Sequence, residues 1–168
     1  MSFQSDRLII RPTLEQDSDL IYQLMNSPKF IKYVGDRQLY SVEDAEKYIQ
    51  DKMLPLLHSV GYSNYSLINK KNGAKIGICG LYDREGLDGI DIGFGILPEY
   101  EGLGYAFESS SRIIKAGFEE LEISEIKAIT NKENISSQCL LVKLGFNLKG
   151  TIMLANENDE LLLYKIEK

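Results

Sequence analysis

Within residues 92–106 a β-type run ends in a two-glycine turn and a helical pattern starts at once. Ile92, Phe94 and Ile96 alternate with Gly93 and Gly95. Leu97 and Pro98 close the run, and Gly102, Leu103 and Gly104 lead into Tyr105 and Ala106. Such a chain must bring a strand end and a helix N-terminus to one place. The first N–H groups of a helix have no intrahelical partner and carry partial positive charge. Glycines in the turn remove the Cβ atoms that would hold a ligand away from the main chain. The arrangement predicts an anion site built from backbone and suited to a pyrophosphate. Two glycines before a helix also occur as a plain tight turn, so this segment alone leaves both readings open. It lacks the long spacer and Lys-Ser/Thr pair of a nucleotide-triphosphate loop, and the third glycine of a dinucleotide fingerprint.

The rest of the chain supplies the layers around this turn. Leu8, Ile9 and Ile10 read as a short strand stopped by Pro12. Leu14, Leu20, Ile21, Leu24 and Met25 keep near-helical spacing, and residues 26–28 end that helix. Ser41 reads as the N-cap of a second helix, with Asp44 at the capping-box position and Ala45, Tyr48, Ile49, Lys52 and Met53 on one face. Residues 62–68, 75–82 and 90–97 read as three strands in series, an antiparallel meander. Then come a helix over 105–121, a strand over 126–129 and a short helix over 136–144 closed by Gly145. Strands over 146–153 and 161–166 flank a turn at 156–159. The order βααβββαβαββ predicts an α/β (α+β) sandwich, a mixed sheet with helices on both faces. Without a repeat or linker, residues 1–168 read as one domain.

Composition closes off several alternatives. A hydrophobic content of 43% suffices for a continuous core without a disulfide or metal staple. Cys79 and Cys139 lie far apart and His58 is the only histidine, so a zinc site of about four ligands cannot be assembled and no metal is expected. A histidine-centred triad would have to use His58, which has no evident partner. Few cysteines and no leader-like start suggest a reducing, cytoplasmic setting. No stretch approaches the roughly 18 apolar residues that span a bilayer, so no membrane partner is expected. A net charge of −6 disfavours nucleic acid as a partner and permits a cationic substrate such as an amine.

A second informative segment is residues 131–146. Asn134 and Ser136 suit a helix cap, and Leu140, Leu141 and Leu144 suit a core. Together with the first segment it resembles the acetyl-coenzyme A-binding core of the GNAT superfamily of N-acetyltransferases, and within it the RimJ/RimL ribosomal-protein acetyltransferase group. The first family motif is matched by Leu97, Pro98, Glu99, Tyr100, Gly102, Gly104, Tyr105, Ala106 and Glu108. The second is matched by Glu133, Asn134, Ser137, Leu141, Lys143, Leu144, Gly145 and Phe146. The opening Ser5, Asp6, Arg7, Leu8 and Arg11-Pro12 resembles the family's first strand. Glu101 and Leu103 depart from the pattern: relatives carry an aromatic, Gln or Arg at the former and Lys, Arg or Gln at the latter. An acid beside a pyrophosphate site weakens binding unless it points to solvent, by on the order of 1 kcal/mol.

The resemblance implies a mostly antiparallel sheet with a splay between two parallel strands, here 90–97 and 126–129. It implies acetyl-coenzyme A as cosubstrate, held by Phe94, Ile96, Leu97, Gly102, Leu103, Gly104, Tyr105, Ala106 and Asn134. It also implies direct transfer to an amine-bearing acceptor, a small molecule or a protein N-terminus, and homodimers are common among such relatives. Main-chain N–H near Ile96 would stabilise the oxyanion. The tyrosine that many members use as acid is replaced by Leu141, and Ser137 is the candidate in its place, a first-turn serine bonded to backbone being the alternative. Asp91 is the candidate base, or else an exposed strand residue. Gly93 and Gly95 suit either a bulge or small residues packed under a helix. Glu108 reads as a helix-dipole residue, Cys139 as a small buried one, and His58 as a surface residue. Tyr33, Tyr40, Tyr62 and Tyr82 line the acceptor side or pack in the core. The competing reading is a GNAT-fold binding module without turnover.

Overall fold

The computed structural model describes residues 1–154 and 159–168. Its strands are β1 (Phe3–Gln4), β2 (Leu8–Pro12), β3 (Asn64–Asn69), β4 (Lys75–Asp83), β5 (Ile90–Ile96), β6 (Glu125–Thr130), β7 (Asn147–Ile152) and β8 (Leu161–Glu167). Its helices are α1 (Ser18–Met25), α2 (Pro28–Tyr33), α3 (Val42–Tyr48), α4 (Leu54–Val60), α5 (Tyr105–Glu119) and α6 (Ile135–Lys143). The strands form one sheet in the order β1-β2-β3-β4-β5-β6-β8-β7. Every neighbouring pair is antiparallel except β5 and β6. This is the mixed α/β architecture expected from the element order.

Two cores account for the layering. On one face, Ile113, Ile114 and Ala116 of α5 pack with Leu8, Leu67, Cys79, Leu81, Ile92 and Ile126 of the sheet. On the other, Leu20, Ile21, Leu24 and Met25 of α1 meet Ala45, Ile49 and Met53 over Ile78 and Leu97. A side chain of this kind contributes about 1.5–3 kcal/mol when fully buried. The β3–β4 register shifts at Leu67/Ile68, which leaves Ile76 outside the pairing. That bulge reverses the alternation: Ile76 joins the same core as Cys79 and Leu81, while Ile78 joins the other.

The helical region differs from its sequence reading in two places. Ser27 and Pro28 end α1 and also begin α2, with Pro28 in the first turn, where its missing N–H is harmless. The second helix runs on past Met53 to Val60 through a π-type segment, Ile49–Met53, just before Pro55. Pro55 cannot donate to the preceding turn and its ring would crowd the carbonyl there, and the wider turn accommodates both. The first strand also gains a partner, Phe3 opposite Ile10, that the sequence reading lacks. Of the turn expected at 156–159, the first three residues lie outside the described residues.

Strands β5 and β6 position the site. Their pairing consists of one Cα pair, Asp91 opposite Lys127. Both strands continue, β5 to Ile96 and β6 to Thr130, without further partners across the gap. The Leu97 N–H is bonded to the Ile76 carbonyl at 2.9 Å, on the β4 side. Groups alternate along a strand, so the Ile96 and Phe94 N–H groups turn the other way, into the gap.

Candidate active site

Two clefts open from this gap. The larger, about 690 Å³, runs along the start of α5 and is lined by Phe94, Gly95, Ile96, Gly102, Gly104 and Ala106 among others. The smaller, about 360 Å³, lies toward Asp91, Gly93 and Tyr82. Phe30, Tyr33, Val34, Phe94, Asn134 and Ser137 line both, so the clefts meet at one wall.

The turn before α5 takes the shape its glycines allow. Gly102 and Gly104 have φ of +72 and +83, a region that L side chains rarely adopt. Gly104 is the N-cap of α5 and makes no side-chain cap bond, so the first-turn N–H groups face the larger cleft without a competing side chain. The turn is tied to the start of the chain. Arg7 donates from Nη1 to the Leu103 carbonyl at 3.0 Å and from Nε to Glu108 at 2.6 Å. The Ser5 hydroxyl and the Arg7 N–H donate to the other Glu108 oxygen, each at 2.7 Å. Burial alone would raise the Glu108 pKa, but these bonds hold it below the usual carboxylate range. Glu108 is therefore a clamp on the turn between β1 and β2, beyond any interaction with the helix dipole.

The departure at Glu101 is neutralised locally. Its carboxylate is paired with the Lys29 ammonium from α2, and both residues line the larger cleft. Leu103 is 54% exposed and lines neither cleft. Leu97 is buried in the core of the α1 face and also lines neither. Tyr105 lines the larger cleft, accepts from Asn69 Nδ2 at 2.9 Å and carries the Arg7 guanidinium 4.3 Å above its ring.

Asn134 caps α6: its Oδ1 accepts from the Ser137 N–H at 3.2 Å and from the Ser136 hydroxyl at 3.0 Å. The Ser137 hydroxyl itself makes no hydrogen bond among the described residues and is half-buried where the clefts meet. It is thus not the backbone-bonded serine of the alternative reading.

Asp91 is 1% exposed, not the surface strand residue that was the other option for it. It accepts from Arg84 Nη2 at 3.1 Å and from Nε at 3.3 Å. Burial raises its pKa above the ordinary 3.8, and Arg84 offsets this only in part. Gly93 and Gly95 are packing residues within an unbroken β4–β5 register. A Cβ on Gly93 would lie 2.9 Å from the Tyr82 ring, and one on Gly95 would lie 3.3 Å from Leu24 of α1. Tyr33 and Tyr82 line the smaller cleft, Tyr62 is in the core and Tyr40 is exposed. Cys139 is exposed, against the buried role read from sequence, because it falls on the water-facing side of α6. His58 is exposed and lines neither cleft.

The sequence does not single out Lys29, Phe30 and Val34, because periodicity does not separate α2 from the end of α1. Ser followed by Pro is itself a helix-start signal and carried the information.

Comparison with known proteins agrees with this layout. Residues 7–147 match the family described as the acetyltransferase (GNAT) domain. An uncharacterized N-acetyltransferase, p20, from Bacillus licheniformis is 30% identical over 151 residues, covering 88% of this chain and 83% of that protein. The spermidine N(1)-acetyltransferase of Escherichia coli K12 is 25% identical over 145 residues, covering 86% of this chain and 75% of that one. A crystal structure of a GNAT-family acetyltransferase from Bacillus anthracis superposes with a TM-score of 0.81 at 23% identity, over 99% of this chain and 98% of that one. A sheet splayed between two parallel strands, with a glycine turn at its mouth, defines an acyl-coenzyme A-dependent transferase class. The chain belongs to the GNAT acetyltransferase family.

Proposed function

We propose that this chain moves the acetyl group of acetyl-coenzyme A directly onto a primary amine, carried by a small molecule or a protein N-terminus. The observation that carries the reading is the meeting of two clefts at Phe94, Asn134 and Ser137, one on the glycine-turn side and one on the Asp91 side. A donor and an acceptor can then be bound together, each from its own side. The motif matches of residues 97–108 and 133–146 favour a RimJ/RimL-like member.

The residues fit the donor. The α5 N-terminus, open over Gly102, Gly104 and Ala106, suits a pyrophosphate, and the unpaired run of β5 suits the extended arm beyond it. When bound, acetyl-coenzyme A supplies an activated acyl carbon and a thiolate leaving group. In the transfer a C–N bond forms and the C–S bond breaks, the amine loses a proton and the sulfur gains one. The Ile96 N–H, turned into the gap, donates to the oxygen that gains charge. The Ser137 hydroxyl donates its proton to sulfur and regains one from water. Asp91, a residue of the acceptor-side cleft, accepts the amine proton through water. Asn134 keeps Oδ1 for its cap and leaves Nδ2 for the donor arm.

The pairing of Glu101 with Lys29 weakens one of three reasons to read the chain as a silent binding module, Leu103 and the missing tyrosine at Leu141 being the others. Two measurements test the proposal: calorimetric titration with acetyl-coenzyme A, and thiol release with a panel of amines. Saturable micromolar binding and amine-dependent thiol release are expected. Ser137→Ala should lower kcat by about 100-fold and leave the KM for acetyl-coenzyme A nearly unchanged. No binding at millimolar ligand would defeat the reading.

A further inference from the structure

The charge on the acceptor cleft runs against the charge of the chain. The protein is net −6, yet among the described residues this cleft is lined by Arg37, Lys52 and Arg84 against Asp83 and Asp91. Arg84 and Asp91 face each other at 3.1 Å and largely cancel. Among the described lining residues, Arg37 and Lys52 then stand against Asp83.

Arg37 is the informative member. It is half-buried on the loop between α2 and α3, and it makes no hydrogen bond or ion pair with any described residue. Val34, three residues earlier, lines both clefts. A guanidinium offers five N–H donors in a planar fork that matches a carboxylate in two parallel bonds. Set in a cleft wall, partly out of water and without an anion from any described residue, it offers a fork with no partner among them. A diamine would bring a second cation against Arg37 and Lys52, and that juxtaposition is repulsive. A volume of about 360 Å³ suits a small molecule.

We infer that the acceptor is a small primary amine that also bears a carboxylate, held by Arg37 with Lys52 adding to the field, and that polyamines are rejected. The inference deepens the acetyl-transfer reading and rests on it. The net charge of −6 permits a cationic substrate, but only two of the chain's acids, Asp83 and Asp91, line this cleft among the described residues.

The test uses three amines of equal length that differ only at the far end: 4-aminobutanoate, n-butylamine and 1,4-diaminobutane. Acetyl transfer should favour 4-aminobutanoate over the diamine by about tenfold or more in kcat/KM. Arg37→Gln should shrink that ratio about tenfold, and Arg37→Lys, which keeps the charge and loses the planar fork, should retain only part of it. A ratio that favours the diamine, or one unmoved by Arg37→Gln, overturns the inference. Titration with N-acetyl-4-aminobutanoate and N-butylacetamide needs no turnover and separates the two readings. Selective binding of the anionic amide without thiol release would overturn acetyl transfer and keep the charge assignment. Thiol release without charge selectivity would do the reverse, and absence of both would overturn both.

Discussion

A valine at position 104 would have to hold a β-branched side chain at φ +83, with its Cβ 3.4 Å from Arg7 Nη2. Such backbone strain costs about 1–3 kcal/mol, and relief of it would turn the first N–H groups of α5 away from the cleft. Gly104→Val should therefore weaken acetyl-coenzyme A binding at least about tenfold, read by titration, and lower the melting temperature in the same variant. Arg7 acts on the same turn from outside the cleft. Arg7→Ala frees the Leu103 carbonyl and one side of Glu108, and should raise the KM for acetyl-coenzyme A more than it lowers kcat. Much at this scale was legible in the sequence. The positive φ of Gly102 and Gly104 follows from their residue type, and the cap at Asn134 from its place before Ile135. The clamp between Arg7 and Glu108 was not, because nothing local relates residues 101 positions apart. The burial of Asp91 was also hidden, since alternation gives a face and not its cover.

Among the elements, β4 carries the sharpest packing demand. A Cβ on Gly80 would lie 2.3 Å from the Ser63 carbonyl oxygen, a backbone atom that cannot rotate aside. Gly80→Ala should lower stability by about 1–3 kcal/mol in chemical denaturation, the range for overpacking a tight site. Most elements could be read from period and punctuation, as the meander of β3, β4 and β5 and the glycine after α6 show. Helix α2 could not be told from the end of α1 by period, because none of its residues is buried and no apolar stripe marks it. The path through Pro55 was hidden for a different reason: the π-type segment that tolerates the proline is a property of the folded helix and not of any residue in it.

Across the molecule, Asp17 joins layers far apart in the chain. Fully buried, it accepts from Arg11 of β2 and Ser66 of β3 and pairs with Lys75 of β4 at 2.7 Å, at the foot of α1. Burial would raise its pKa, but Arg11, Lys75 and the Leu14 N–H outweigh burial and lower it from 3.8 to about 2. A carboxyl depressed in the folded state adds stability that is present above the unfolded value and is lost as pH falls through the folded one. That contribution, on the order of 2 kcal/mol, should disappear between pH 3.8 and about 2 in denaturant titrations at stepped pH. Asp17→Asn should lower stability at pH 7 by about 3 kcal/mol and flatten the same acid limb.

Helix α2 and the loop after it, which keep every side chain of the helix in touch with water, also wall both clefts. Phe30 and Leu39 apart, folding places little demand on them, whereas the glycine turn is pinned from the far end of the chain. Changes after Phe30 can therefore reshape the acceptor wall while Lys29 still neutralises Glu101 and the glycine turn keeps its hold on the donor. For an engineer, the same asymmetry makes residues 31–37 the first window to randomise.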